Sequence, residues 1–199
     1  SSFGWIGRFE PTVPPASWPW LPLLTGYTLA KGLRGRGYAG VAVKWPNDVL
    51  VGERKVAGIL VERVDTPSGP AAVVGVGLNV SQQQEEIPVP TGTSLTLETG
   101  EEPDRTALLK ALLSDLHEAY DAWQVGGPDG AARLRSSYTA ACVTVGREVR
   151  VGLPSGETVQ GRATGVDGEG RLVVVHAAGE IAVGAGDVVH VRPTPGADQ

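Results

Sequence analysis

The sequence predicts an α+β domain followed by a small all-β domain. Over the first 143 residues, β-branched runs alternate with segments of helical periodicity, which is typical of a sheet packed against helices. The remaining residues form short apolar runs separated by glycine- and proline-containing turns, which is typical of a small antiparallel barrel. The change between these patterns lies at residues 143–146, so we expect domains at 1–143 and 144–199.

Five strands are expected in the first domain, at residues 3–9, 40–45, 48–51, 55–64 and 71–80. The runs 48–51 and 55–64 form a hairpin, because three turn residues beginning with Gly52 separate them. A first helix is predicted over residues 17–34, with Ser17 as its N-cap and Gly35 at its end. Residues 81–100 are polar and contain proline, so we expect a loop there.

The strongest helical signal lies at residues 104–123. Leucines and aromatic residues recur there at i, i+3 and i+4, and Asp104 is the expected N-cap. A shorter helix is predicted over residues 128–141. In the second domain we expect strands at 147–153, 158–166, 172–176 and 188–191.

Composition and charge exclude several classes of protein. The net charge is −5 and neither domain has a cationic excess, so nucleic acid is not an expected partner. No uncharged apolar stretch reaches the roughly 18–20 residues that a membrane helix needs, so no membrane partner is expected. Cys142 is the only cysteine and the three histidines lie far apart. We therefore expect no disulfide, no metal site built from protein ligands, and a reducing cytoplasm as the location.

Common catalytic motifs are absent. Residues 75–80 begin like a dinucleotide-binding fingerprint, but Val80 replaces the third glycine and the run is a predicted strand. No Walker loop, GxSxG elbow or HExxH helix occurs. The paired carboxylates at residues 85–86 and 101–102 lie in polar segments and are expected to be solvated surface charge.

Residues 47–55 combine an amide, a carboxylate and a lysine around one hairpin. Folding of this hairpin is expected to bring Lys55 beside Asn47 and Asp48. A neighbouring carboxylate fixes an ammonium group in space, and a fixed ammonium can bind phosphate oxygens. The segment therefore predicts a site for an anionic, phosphate-bearing ligand near Lys55.

Nearby strands add residues that suit a ligand surface, namely Gly58, Gly75, Gly77 and Asn79. Glycine weakens a strand, and close approach of a ligand to the backbone is a usual reason for its presence. The Asn79 amide can both donate to and accept from a purine edge. An ordinary structural interpretation stays open at each position, since hairpin lysines, bulge glycines and strand-ending asparagines are common.

Two segments resemble the biotin protein ligase family. Residues 44–62, KWPNDVLVGERKVAGILVE, are similar to its Lys-Trp-Pro-Asn-Asp signature followed by Lys-x-x-Gly-Ile-Leu, and residues 75–80, GVGLNV, to its later Gly-x-Gly-x-Asn strand. The resemblance covers essentially the whole chain. It implies a catalytic domain with a mixed sheet and flanking helices, followed by an SH3-like barrel. It also implies that biotin and MgATP form biotinyl-5′-adenylate, from which biotin passes to a lysine of a biotin carboxyl carrier domain.

The resemblance implies a role for each matched residue. Lys55 matches the family lysine that contacts the biotin carboxylate and the α-phosphate, where its charge would stabilise the transition state. Asp48 and Asn47 match the pair that positions this lysine and the nucleotide with its Mg²⁺, which makes Lys55 and Asp48 the expected catalytic residues. Asn79 matches the adenine-binding asparagine. The family's biotin surface is matched by Gly58, Ile59, Gly75 and Gly77.

Some parts of the family pattern have no match in the chain. The family's Ser/Thr-rich biotin contacts and its Gly-Arg-Gly-Arg-x-Gly-Arg loop precede the matched region, and neither Arg8 nor Arg36 lies in such a loop. The chain also has no methionine, even at position 1, so we expect a fragment, a processed form or a natural remnant. Two alternatives stay open, a lipoate-type ligase of the same architecture and a binding module without turnover. The resemblance also permits a homodimer.

Overall fold

A computed structural model describes residues 2–191 and contains two five-stranded sheets. The first sheet has the order β1-β5-β4-β3-β2 and consists of β1 (Ser2–Phe9), β2 (Val41–Lys44), β3 (Asp48–Val51), β4 (Arg54–Thr66) and β5 (Gly69–Asn79). The predicted α+β class is confirmed. The sheet is antiparallel rather than mixed, because short hairpins join β2 through β5 and β1 runs antiparallel to β5. Parallel pairing in the described chain is confined to two isolated bridges, Val43 to Cys142 and Lys55 to Gly92.

Four α-helices accompany this sheet in the described residues: α1 (Trp20–Gly35), α2 (Leu95–Thr99), α3 (Arg105–Val125) and α4 (Gly127–Ala141). The predicted start of the first helix at Ser17 is wrong. Ser17 ends a separate 3₁₀ turn, in which its N–H donates to the Pro14 carbonyl at 2.8 Å, and it does not cap α1. The predicted cap of α3 is confirmed, since the Asp104 carboxylate accepts the N–H groups of Thr106 and Ala107, each at 3.0 Å.

One face of the first sheet is packed against the helices and the other is open. Helix α1 contacts β2, β3 and β4, and its predicted apolar face of Leu21, Leu24 and Thr28 is buried. On β5, buried side chains such as Val74 and Val76 alternate with glycines. Since successive residues of a strand point to opposite faces, Gly75 and Gly77 of β5 belong to the open face.

The second sheet has the order β10-β6-β7-β8-β9 and is antiparallel throughout. Its strands are β6 (Glu148–Gly152), β7 (Thr158–Val166), β8 (Leu172–His176), β9 (Gly179–Val183) and β10 (Asp187–His190). Strand β9 was not among the predicted strands, because its short sequence follows a turn directly. Gly179, at a φ of 125°, permits a tight hairpin in which it pairs with His176. Residues 192–199 of the predicted domain lie outside the described residues.

The turn between β7 and β8 contacts the first half of the chain through two tryptophans. The indole N–H of Trp20 donates to the Gly168 carbonyl at 2.8 Å, and that of Trp45 donates to the Gly170 carbonyl at 3.0 Å. A side chain on Gly170 would lie 2.9 Å from Leu23 Cδ1, so the turn approaches α1 closely. The signature tryptophan therefore connects the second sheet to the segment that carries Asn47. None of the helices formed by residues 2–191 is long and apolar enough to cross a membrane.

Candidate functional site

The open face of the first sheet carries a shallow groove with a glycine floor. Gly4, Gly77 and Gly58 are register partners across β1, β5 and β4, and Asp48 of β3 is the next partner in the row. A row of three glycines removes all side-chain bulk from this part of the face. A flat or extended ligand could therefore contact the sheet backbone directly.

Two exposed apolar side chains flank the glycine floor. Ile6 and Leu60 are the register partners of Gly75 on its two sides, and they are 81% and 62% exposed. The groove has a volume of about 530 Å³ and is also bordered by Trp5, Asn47 and Lys55. It combines apolar walls with one cationic end, which suits a ligand with an apolar body and an anionic group.

Lys55 forms the cationic end of the groove. Its Nζ lies 2.6 Å from Asp48 Oδ1, and the two side chains are 39% and 20% exposed. A Cβ built on Gly58 would lie 3.2 Å from Nζ, so the ammonium is directly over the glycine floor. Among residues 2–191 the ammonium has no other hydrogen bond or ion pair, which leaves two of its three N–H donors for a ligand.

Lys44 differs from Lys55 although both lie near Asp48. Lys44 is the direct register partner of Asp48 in the β2–β3 hairpin, yet it forms no ion pair within the described part of the chain. The 2.6 Å contact belongs to Lys55, which the hairpin between β3 and β4 returns to Asp48. The sequence predicts this contact between Lys55 and Asp48.

Two hydrogen bonds join Asn47 to Ile59, one donated by the Asn47 side-chain amide and one between the two main chains. The Asn47 amide donates to the Ile59 carbonyl at 3.1 Å, and the Ile59 N–H donates to the Asn47 carbonyl at 2.8 Å. The Ile59 side chain is 3% exposed and lies against Gly26 of α1, so only its backbone borders the groove. A side-chain contact of Ile59 with a ligand is therefore excluded in this arrangement, because alternation along β4 places that side chain on the helix side.

Asn79 lies on the open face at the end of β5, beside a segment that sequence reasoning missed. Its amide donates to the Thr93 carbonyl at 3.0 Å. The Lys55 N–H donates to the Thr91 carbonyl at 2.9 Å, and the Thr93 N–H donates to the Lys55 carbonyl at 2.8 Å. Residues 91–93 thus lie between the two predicted ligand-binding side chains and fix the backbone of one of them.

The predicted loop at 81–100 is therefore largely structured. It contains a 3₁₀ turn at Gln84–Glu86 and helix α2, in addition to residues 91–93. Ser94 caps α2 by accepting the Leu97 N–H, and Gly100 ends it at a φ of 77°. A serine followed six residues later by glycine is the signal that could have predicted this short helix.

A second cleft, of about 850 Å³, lies between the two sheets. Lys55 and Asp48 border it on one side, and His190 and Arg147 on the other. Burial lowers the pKa of His190 to about 4, and the charges of Lys44 and Arg147 add to the effect against an opposing contribution from Glu53. The His190 ring is therefore neutral at neutral pH.

A third cleft, of about 730 Å³, lies between α1, α3 and α4. None of the predicted site residues borders it. Its walls are joined by the ion pair between Arg36 and Asp115 at 2.6 Å. The chemistry predicted from the sequence is thus concentrated on the opposite side of the sheet.

Comparison with known proteins gives two matching family models. Residues 10–79 match the biotin/lipoate A/B protein ligase family, and residues 144–191 match the biotin protein ligase C terminal domain. A biotin–acetyl-CoA-carboxylase ligase from Mycobacterium tuberculosis is 40% identical over 184 residues, which cover 90% of this chain and 65% of that protein. The protein of the same name from Paracoccus denitrificans is 30% identical over 161 residues, covering 80% of this chain and 67% of that protein.

The chain belongs to the biotin protein ligase family. A solved structure supports the same fold, namely the biotin protein ligase from Aquifex aeolicus in complex with biotin and ATP. It matches with a TM-score of 0.80 at 23% identity, over 96% of this chain and 79% of that one. The chain spans 65% of the length of its Mycobacterium tuberculosis relative, so less than two thirds of that ligase has a counterpart here. Gly58, Gly77 and Lys55 lie within the matched residues 10–79, whereas Gly4 precedes them.

Proposed function

We propose that this chain provides the sheet surface on which ATP activates biotin and from which biotin passes to a lysine of a biotin carboxyl carrier protein. The observation that carries the proposal is the Lys55 ammonium, held by Asp48 over a glycine floor with two donors free. The names of the relatives, biotin–acetyl-CoA-carboxylase ligases, support biotin as the substrate and a carboxylase as the acceptor. The biotin and ATP bound to the Aquifex aeolicus protein support both ligands.

In the first step, a biotin carboxylate oxygen attacks the α-phosphorus of ATP. A new oxygen–phosphorus bond forms, the bond to the β-phosphate breaks, and pyrophosphate leaves with the electron pair. Negative charge develops on the oxygens around the α-phosphorus in the transition state. Lys55 would offset that charge while it also binds the attacking carboxylate, and Asp48 would keep the ammonium in place.

In the second step, the ε-amino group of the acceptor lysine attacks the acyl carbon of biotinyl-5′-adenylate. An amide bond forms, the acyl–phosphate bond breaks, AMP leaves, and the amine loses a proton. The exposed position of the groove allows an approaching amine to reach this carbon. Transfer therefore needs no covalent intermediate with the chain itself.

The remaining predicted residues would bind and orient the two substrates. Gly58, Gly75 and Gly77 would form the flat surface under biotin, with the contribution of Ile59 limited to its backbone. Asn79 would bind the adenine with the capacity that its bond to Thr93 leaves free. Asn47 would act through its fixed bond to the Ile59 carbonyl, which holds the turn that carries Asp48.

Mg²⁺ belongs to the proposal as a companion of ATP. Residues 2–191 contain no group of three or more histidine, cysteine, aspartate or glutamate side chains that could hold a metal ion. Mg²⁺ is usually bound by one or two carboxylates together with substrate phosphates. The single Asp48 carboxylate beside the groove fits that limited role, and bound Mg²⁺ would supply positive charge on the phosphates.

The proposal also includes the domain division and the assembly expected from the sequence. Residues 1–143 would form the catalytic domain and residues 144–199 the C-terminal barrel. A homodimer and a cytoplasmic location stay predictions. Open sheet edges are compatible with pairing of two copies.

Incubation of the chain with ATP, a carrier domain and either biotin or lipoate tests the proposal by mass spectrometry of the carrier. We expect a mass increase of one biotin that depends on ATP. Transfer of lipoate without biotin would favour the lipoate-type alternative. Calorimetric binding of biotin and ATP without any pyrophosphate release would identify a binding module, and neither result is compatible with the proposed ligation.

A further inference from the structure

Residues 91–93 connect the two side chains to which the proposed function assigns the phosphate and the adenine of ATP. Thr93 donates its N–H to the Lys55 carbonyl at 2.8 Å and accepts the Asn79 amide on its own carbonyl at 3.0 Å. Thr93 is completely buried. A displacement of Thr93 would therefore move Lys55 and Asn79 relative to one another.

A single carboxylate, that of Glu98, binds both Thr93 and Arg54. One of its oxygens accepts the Thr93 hydroxyl, and the other accepts Arg54 Nη2 at 2.8 Å. Arg54 immediately precedes Lys55 at the start of β4. The Glu98 side chain is only 12% exposed, so water can replace these bonds only in part.

The short helix that carries Glu98 is fixed at both ends. Ser94 Oγ accepts the Leu97 N–H at 3.2 Å and donates to the Gln82 carbonyl at 2.7 Å. Gly100 closes the helix in the left-handed region, with its N–H on the Thr96 carbonyl. Because hydrogen bonds fix both ends of the helix, they also fix the position of the Glu98 carboxylate that binds Thr93 and Arg54.

We propose that Glu98 is a positioning residue for ATP, acting on Lys55 through Arg54 and Thr93 and on Asn79 through Thr93. This inference rests on the proposed function, since it concerns the same ATP site. Glu98 borders neither the groove nor the second cleft. Its loss leaves the buried Thr93 hydroxyl without its acceptor, so residues 91–93 relax away from β4 and the two ATP-binding side chains lose their common spacing.

The kinetic test compares Glu98→Ala with Glu86→Ala. Glu86 is a matched control, because its exposed carboxylate lies in the same 81–100 segment and accepts the Gln83 N–H at 2.8 Å without contacting residues 91–93. In pyrophosphate-release assays we expect Glu98→Ala to raise the KM for ATP about tenfold, with the KM for biotin changed less than about twofold. Glu98→Gln keeps an acceptor for Thr93 and should recover part of the loss, whereas Glu86→Ala should leave both constants unchanged within about twofold.

Amide hydrogen exchange without ligand separates this inference from the proposed function. In Glu98→Ala and, more weakly, Glu98→Gln, the N–H groups of Lys55 and Thr93 should exchange faster, while those of the β7–β8 hairpin keep the wild-type rate. Unchanged exchange at Lys55 and Thr93 in both variants would overturn the inference, as would an unchanged KM for ATP in an active protein. Absence of pyrophosphate release by the wild type would instead refute the proposed function, and the exchange rates would still test the link through Glu98.

Discussion

Two ion pairs in this molecule each join an aspartate to a basic residue across a turn, but they differ in how many partners they have. In the β7–β8 turn, Asp167 accepts the N–H groups of Glu169 and Arg171, each at 2.9 Å, and also Arg171 Nε at 2.7 Å. In the β3–β4 hairpin, Lys55 Nζ has Asp48 as its single partner among residues 2–191. The Asp167 carboxylate accepts three hydrogen bonds from residues of its own turn. The Lys55 ammonium keeps two unused N–H donors next to an open groove.

The difference indicates how a structural pair can be told from a ligand-binding one. Burial alone raises the pKa of Asp167, but the hydrogen bonds from Arg171 and Glu169 outweigh it and lower that pKa below its usual value. Those bonds stabilise the turn that contacts Trp20 and Trp45. Lys55 forms no such local network, and its ammonium lies over glycine instead. The closed pair thus supports the fold, and the open pair is free to bind substrate.

The largest expected effect comes from Lys55→Ala. Loss of one oriented charge facing a phosphoryl transition state typically lowers the rate about 10²–10³-fold, or about 3–4 kcal/mol. We expect that loss in pyrophosphate release with biotin and MgATP, with an unchanged thermal melting curve. Lys55→Arg should recover little, because a planar guanidinium does not replace a compact ammonium.

Lys44→Ala is the control for that experiment. Lys44 lies opposite Asp48 in the β2–β3 strand register, but the ion pair of Asp48 is with Lys55. We expect a milder loss than for Lys55→Ala. Near-normal pyrophosphate release by Lys55→Ala together with a large loss in Lys44→Ala would show that Lys44, and not Lys55, supplies the catalytic charge.

A smaller effect is expected from methyl groups added to the groove floor. In Gly58→Ala the new Cβ would lie 3.2 Å from Lys55 Nζ and 3.3 Å from its Cε, so the ammonium must shift. We expect kcat to fall about tenfold. In Gly77→Ala the Cβ would meet no atom within 4 Å, so only the KM for biotin should rise. Equal kcat values for the two variants would contradict the placement of the ammonium over Gly58.

Asp167→Ala should change stability and leave turnover intact. The substitution removes three hydrogen bonds from a partly exposed turn, so we expect the free energy of unfolding to fall by about 2 kcal/mol. Because the folded pKa of Asp167 is lowered, its contribution is present above the unfolded pKa and is lost as pH falls through the folded value. Urea unfolding between pH 7 and pH 3 should therefore be less pH-dependent in Asp167→Ala. A tenfold loss of kcat at a temperature where the variant is folded would show that this pair is not merely structural.

The smallest effect is expected at His190 of the second cleft. Its folded pKa of about 4 lies below the usual value of 6.5, so its neutral form is favoured in the folded chain and its stability contribution is lost as pH falls from 6.5 through about 4. Because the ring is only half-buried, we expect about 1 kcal/mol over this range, measured by urea unfolding. His190→Asn should remove that part of the pH dependence. An identical pH profile in the variant would refute the shifted pKa.

Local patterns in the sequence predict much of the fold and the open ion pair. The hairpin at Gly52 and the alternation along β5 depend on near neighbours, so they indicate both the return of Lys55 to Asp48 and the shared face of Gly75 and Gly77. Family resemblance adds chemical roles to these residues.

The missed features depend on contacts between residues far apart in the sequence. In the sequence, residues 91–93 are a polar segment, and only the fold shows their hydrogen bonds to Lys55 and Asn79. The role of Glu98 likewise depends on its contacts with Thr93 and Arg54. The helix side of Ile59, by contrast, follows from its alternation with Gly58 and Leu60 along β4, so a local pattern could have predicted it.

Side-chain NMR of the lysines tests the open pair most directly, because the chain has only four, namely Lys31, Lys44, Lys55 and Lys110. With lysine labelled at Nζ, biotin and a non-hydrolysable ATP analogue are added together until binding is saturated. We expect the Lys55 signal to shift and its N–H groups to become protected from exchange, while the Lys31 and Lys110 signals stay unchanged. Saturated binding with an unchanged Lys55 signal, or a shift confined to Lys44, would contradict the assignment of Lys55 as the ligand-binding cation.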